Sequence, residues 1–114
     1  MKEQLDTLLQ KLKEKTLVFK DVIAFIETYY QHQPTAFKNG ETTYNEATQN
    51  QGSAKVFAFA QIKKLSEADT LYLFAEHYQA VLDTPNGTDH QNIRQFIKHG
   101  WAGISFEGEA LTAK

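Results

Sequence analysis

The sequence predicts an α+β fold: a mostly helical single domain, residues 1–114, with about five helices and a small antiparallel β-sheet. Three observations carry this. Apolar residues recur at helical spacing in several separate segments. An Asn-Gly pair sits between two short β-prone runs, and Ile104 and Phe106 alternate with polar residues near the C-terminal end. At 114 residues the chain is long enough for one core but not for two.

The elements follow in order. Leu5, Leu8, Leu9 and Leu12 predict a surface helix over 2–13. Val18, Val22, Phe25, Ile26 and Tyr29 predict a second over 18–31, ended by Pro34. In the stretch from Thr35 to Tyr44, Asn39-Gly40 predicts a hairpin with a type I′ turn, Asn39 serving the turn. A lone hairpin is marginal in water, so Ile104 and Phe106 are expected to supply a third strand.

Residues 45–53 form the one long polar segment. The run Ala54–Ile62 behind it is apolar nearly all round, which fits a buried strand or a buried helix. The helix is favoured because Ser53 suits an N-cap, alanines are frequent and Lys63-Lys64 suit a last turn. Ser66-Glu67-Ala68-Asp69 resembles a capping box. It opens one helix carrying Leu71, Phe74, Ala75, Tyr78, Val81 and Leu82, broken by Asp83-Thr84-Pro85-Asn86-Gly87. The last helix runs from a Thr88 or Asp89 cap through Ile93, Phe96 and Ile97 to Gly100. A Schellman motif there would lay Trp101 on Phe96.

Composition narrows the function classes. Hydrophobic residues at 41% and charged residues at 23% exclude a disordered chain. The net charge of −2 comes from interleaved acids and bases, with no basic stripe for a row of phosphates, so no nucleic-acid partner is expected. There are no cysteines, which removes disulfides, thiolate metal sites and cysteine nucleophiles. His32, His77, His90 and His99 are scattered, so no metal is expected, and nothing implies a cofactor. No secretory signal or membrane-length apolar run is apparent, which makes the cytoplasm the expected location.

The residues able to touch a ligand concentrate at two helix starts. Asn50, Ser53 and Lys55 lie at the first, where free N–H groups and the helix dipole favour anions, although the spacing is not that of a P-loop. His90, Gln91, Asn92 and Arg94 crowd the second. Each has a plainer reading beside the functional one. Ser53 would be only a cap, Lys55 a solvated charge, and Arg94 a brace for loop carbonyls or for Glu46. The two clusters are expected to meet in space, with His90 or Arg94 bonded to the chain between Asn45 and Ser53. A Ser53–His90–Asp89 triad is a weaker expectation, since no nucleophile elbow is present.

Four segments resemble the HopJ type III effector family. They are Pro34–Gly40, Asn50–Ala60, Asp89–Arg94 and Gly100–Phe106, in order over nearly the whole chain. The resemblance implies delivery into a host cell by a bacterial type III secretion system; it implies no catalytic activity and no active site. Two positions depart from the family pattern. Ala54 stands where a Cys commonly follows Gly-Ser, and Ala75 stands where a Gly is common, a change expected to affect packing alone. Export signals of this kind usually occupy flexible N-termini, whereas an amphipathic pattern here starts close to Met1, so an ordinary intracellular role is expected.

The functional expectation is binding ahead of catalysis. The first form is a protein-interaction module using the aromatic hairpin side, with Tyr29, Tyr30 and Tyr44 half-exposed. The alternative is a binder of an anion or polar metabolite, or an enzyme, built where the polar loop meets the His90 helix. A concave pocket holding His90, Arg94 and Asn50 would favour the alternative.

Overall fold

The computed structural model describes Met1–Lys114. The leucine stripe folds as α1 (Lys2–Lys13) and buries Leu5, Leu8, Leu9 and Leu12. Helix α2 (Phe19–Tyr29) buries Val22 and Ile26. Carboxylates hold its first amides: Val18 N–H donates to Asp21 Oδ2 at 3.0 Å and Phe19 N–H to Glu76 Oε1 at 2.6 Å. The helix stops before Tyr30, which is extended and starts β1 (Tyr30–His32). That strand pairs antiparallel with β5 (Leu111–Ala113). Neither strand was expected, because three residues carry too little alternation to be read.

The expected hairpin and third strand form a sheet of order β3-β2-β4, with β2 (Phe37–Asn39), β3 (Thr43–Asn45) and β4 (Ile104–Phe106). Its turn differs from the type I′ expectation. Asn39 pairs with Thr43, so Gly40-Glu41-Thr42 connects the strands as a three-residue loop. Gly40 takes φ +76°, and a Cβ there would come within 2.8 Å of the His99 ring. Asn39 is thereby released from the turn and points into the interior, fully buried.

Helix α3 (Gln51–Ile62) settles the ambiguity of the apolar run in favour of a helix, with Ala54 and Val56 to Ala60 buried. It starts before Ser53. Asn50 occupies the N-cap, and Ser53 lies in the first turn. The segment after Ser66 is two helices rather than one, α4 (Glu67–Tyr72) and α5 (Glu76–Asp83), which makes six in all. The Ser66 hydroxyl does cap α4, accepting from Asp69 N–H at 3.1 Å. The break falls at Ala75, with φ 51° and ψ −122°. A residue expected to change packing alone therefore carries an unusual backbone.

Helix α6 (Gln91–His99) is followed by a 3-10 turn, Gly100–Gly103. Gly100 has φ 63° and ψ −154°, which is not the conformation of a Schellman glycine. A Cβ there would collide with the Glu67 carboxylate. Trp101 N–H donates to Glu67 Oε2 and its indole Nε1 to Leu65 O, both at 3.1 Å. The ring still packs edge-on against Phe96, 5.0 Å between centroids.

All these elements share one core of 23 buried residues. Phe57 sits among Phe37, Phe74, Phe96 and Trp101, with ring centroids 5.0–6.3 Å away. No helix is long and apolar enough to cross a membrane.

Candidate functional site

The starts of α3 and α6 open onto one concave pocket of about 360 Å³, to which α5 contributes His77 and α2 contributes Phe19. Each of the two helices begins from a left-handed residue. Asn50 has φ 50° and ψ 39°, His90 has φ 51° and ψ 47°, and neither side chain caps its helix. Asn and His are among the non-glycine residues that tolerate this region best. The geometry leaves the N–H groups of Gln51, Gly52 and Ser53, and of Gln91 and Asn92, without an acceptor in the protein.

Four asparagine amides fix the two helix starts against each other. Asn50 Nδ2 donates to Asn45 Oδ1 at 2.7 Å, and Asn92 Nδ2 donates to the same oxygen at 3.0 Å. Asn45 Nδ2 returns a bond to Asn92 Oδ1 at 3.1 Å. Asn39 Nδ2 reaches both the backbone oxygen of Asn92, at 2.7 Å, and its Oδ1, at 3.0 Å. Asn39, Asn45 and Asn92 are buried, where a satisfied polar network specifies one arrangement of the elements it joins. One atom stands outside it: Asn39 Oδ1 is buried without a partner.

Among the residues singled out in the sequence, Asn50, Ser53, His90, Gln91 and Asn92 all line the pocket. Lys55 and Arg94 do not. Lys55 is the partner of Glu27, with Nζ 3.0 Å from Oε2. Burial, and after it the Lys55 charge, holds the His32 imidazole below its ordinary pKa. Arg94 braces a loop, as its plainer reading had it, but a different loop. Its Nε and Nη2 donate to Asp89 O and Oδ1 at 2.6 and 2.8 Å, and Nη1 and Nη2 to Thr84 O and Oγ1 at 2.8 and 3.0 Å. Glu46 plays no part in this clamp. Asp89, engaged by Arg94, is not a cap, and its carboxyl is held below the usual 3.8 chiefly by that hydrogen bond.

The polar loop and the His90 helix meet through Asn92, and neither His90 nor Arg94 forms the expected bond to the chain between Asn45 and Ser53. No hydrogen bond links the Ser53 hydroxyl to His90, so the pair lacks the contact that would activate a nucleophile. Nor does any group of three or more His, Asp or Glu side chains stand where it could hold a metal ion.

Two lining residues escaped the sequence reading. The His77 ring lies 5.1 Å from that of His90, and the Phe19 ring 4.9 Å from His77. They sit on elements far apart in the chain, and no local spacing marks their meeting. On the hairpin side, Tyr30 is buried rather than half-exposed. Tyr44 remains 49% exposed, its hydroxyl donating to Glu107 Oε2 at 2.7 Å, which pushes the phenol's pKa up.

Comparison with known proteins agrees with the fold. The crystal structure of VPA0580, a protein of unknown function, is 43% identical and superposes with a TM-score of 0.87 over 96% of this chain and 92% of that one. No curated protein matches. The sequence model of the HopJ type III effector protein family matches residues 5–111, and the chain belongs to that family.

Proposed function

We propose that residues 1–114 act as one HopJ-like domain that binds a small anion, bearing a phosphate or a carboxylate, in the pocket between α3, α5 and α6. One observation carries the reading: two uncapped helix N-termini converge on a single concave space beside the imidazoles of His77 and His90. Free N–H groups and the positive ends of two helix dipoles favour negative charge there. At about 360 Å³ the space is at the small end for ligand pockets, which suits a compact molecule. Asn50, Ser53 and Gln91 offer hydrogen bonds at its edge and Phe19 an apolar wall. Lys55 and Arg94 are engaged elsewhere, so selectivity rests on amides and imidazoles rather than on a fixed cation. Binding is favoured over catalysis because Ser53 has no base bonded to it.

Titration calorimetry with inorganic phosphate and, separately, succinate tests the reading and distinguishes the two anion classes. His90→Ala and His77→Ala should each weaken binding of the accepted anion by about tenfold, equivalent to losing about one charge-assisted hydrogen bond. Failure of both anions to bind, or unchanged affinity in both variants, rejects it.

The interaction-module reading keeps one supporting observation, the half-exposed Tyr44 on the outer strand of the three-stranded sheet. A Tyr44→Ala variant that loses a protein partner while retaining anion binding would favour it. Neither reading calls for a nucleic-acid or membrane partner, and the interaction-module reading holds whether or not the domain is exported. Export through a type III system follows from the family name alone, and assaying culture supernatant against cell-bound protein decides it.

A further inference from the structure

We propose that Asn86 is a site of spontaneous deamidation, a self-inflicted change of charge in the loop that leads into His90. The chain contains two Asn-Gly pairs, Asn39-Gly40 and Asn86-Gly87, and this is the sequence in which an asparagine amide is most open to attack by the next backbone nitrogen, because glycine has no side chain to hinder it. The fold separates their fates. Asn39 is fully buried, its Nδ2 is held by Asn92, and Gly40 N–H donates to Gly103 O at 3.0 Å within the hairpin. Its side chain cannot swing onto the Gly40 nitrogen without breaking the amide network.

Asn86 is exposed, as are its neighbours Pro85, Gly87 and Thr88, and its side chain has no hydrogen-bond partner. One restraint remains: Gly87 N–H donates to Thr84 O at 2.9 Å. A single bond in an exposed turn opens with little free energy, whereas the Asn39 site opens only with the sheet around it.

The chemistry needs water alone. The Gly87 nitrogen loses its proton and forms a bond to Asn86 Cγ; the Cγ–Nδ2 bond breaks, and the nitrogen leaves as ammonia after taking up a proton. Water then adds to either carbonyl of the resulting five-membered imide and opens it to aspartate or isoaspartate. No oxidant or reductant takes part, and the net charge falls from −2 to −3 at neutral pH.

The position gives the change a consequence. Arg94 Nη2 lies 2.7 Å from where a Gly87 Cβ would stand, so the new charge arises in the turn that this guanidinium clamps through Thr84 and Asp89. The isoaspartyl product also adds a backbone methylene between residues 86 and 87, pulling Gly87 N–H off Thr84 O and loosening the segment in front of His90.

Incubation in mildly alkaline buffer followed by peptide mass spectrometry tests this. In the native protein the Asn86 peptide should acquire the mass of the acid at least about tenfold faster than the Asn39 peptide, the ratio set by the extra free energy of opening the buried site. In denaturant the two should convert at similar rates. Asn86→Gln should abolish the native-state conversion, and hydrogen exchange at Gly87 should speed up as the isoaspartyl form accumulates. Conversion at Asn39 first, equal native rates, or an inert Asn86 in a native protein whose denatured chain reacts would each overturn the proposal. None of these outcomes bears on anion binding.

Discussion

Ala75 holds φ at 51° and ψ at −122°, a left-handed conformation that a side chain opposes and glycine accepts freely. Such a residue stores on the order of 1–3 kcal/mol of strain. Ala75→Gly should therefore raise stability by about 1 kcal/mol even though glycine loses more backbone freedom on folding. Urea unfolding checks this, and a destabilised variant would show that the backbone there is relaxed. A second prediction at this scale concerns Arg94, which makes four hydrogen bonds to Thr84 and Asp89 from a mostly buried side chain. Arg94→Ala should cost about 1–3 kcal/mol. The Asp89 carboxyl is depressed below its unfolded value near 3.8, so its contribution is present above that pH and is lost as pH falls through the lower folded value. In the Arg94→Ala protein the Asp89 resonance should titrate closer to 3.8, and this portion of the acid destabilisation should disappear. Residues of this kind were only half legible in the sequence. The sequence marks Arg94 as a loop brace but not which loop it braces, because five positions back along a helix entry is as reachable as a distant polar segment. Asn39 was assigned to a turn because Asn-Gly is a strong local signal, and the three-residue loop that frees it is set by strand register.

At the scale of elements, periodicity served well wherever an apolar stripe ran for several turns. The Leu stripe of α1, the buried run of α3 and the apolar face of α6 are all helices. It failed between Leu73 and Ala75, where the apolar spacing continues across a break that backbone dihedrals alone define. The short strands β1 and β5 failed for the opposite reason, being too brief to show any period. Phe74 falls at the break and is only 2% exposed, wedged between Phe57 at 5.3 Å and Phe19 at 6.0 Å between ring centroids. Phe74→Ala should cost about 3–5 kcal/mol through lost burial and the cavity left behind. A loss below about 1 kcal/mol would mean that the two short helices are held by their caps and not by this ring. The same ring lines the pocket proposed to take an anion, so under that proposal this variant should also bind more weakly than its stability loss at the working temperature explains.

Across the whole molecule, both sheets and all six helices draw on one cluster of buried side chains, so unfolding should be a single cooperative event. The candidate site was legible at this scale only as two polar helix starts. Their meeting depends on Asn45 and Asn92, buried amides whose pairing across 47 residues no local spacing marks. His77 and Phe19 arrive from α5 and α2, placed by the packing of those helices around Phe57 and Phe74. The chain's single tryptophan reports on that shared core. Trp101 contacts Phe96 at 5.0 Å and Phe57 at 6.3 Å between centroids, while its indole N–H is bonded to Leu65 O. Its native emission should be blue-shifted relative to hydrated indole, and on denaturation it should move in the same transition as the far-ultraviolet circular dichroism. Two separated transitions, with tryptophan moving first, would mean that the Gly100–Gly103 turn and its Glu67 anchor open before the helices do. In that case α6 would be a detachable lid on the pocket rather than one of its fixed walls.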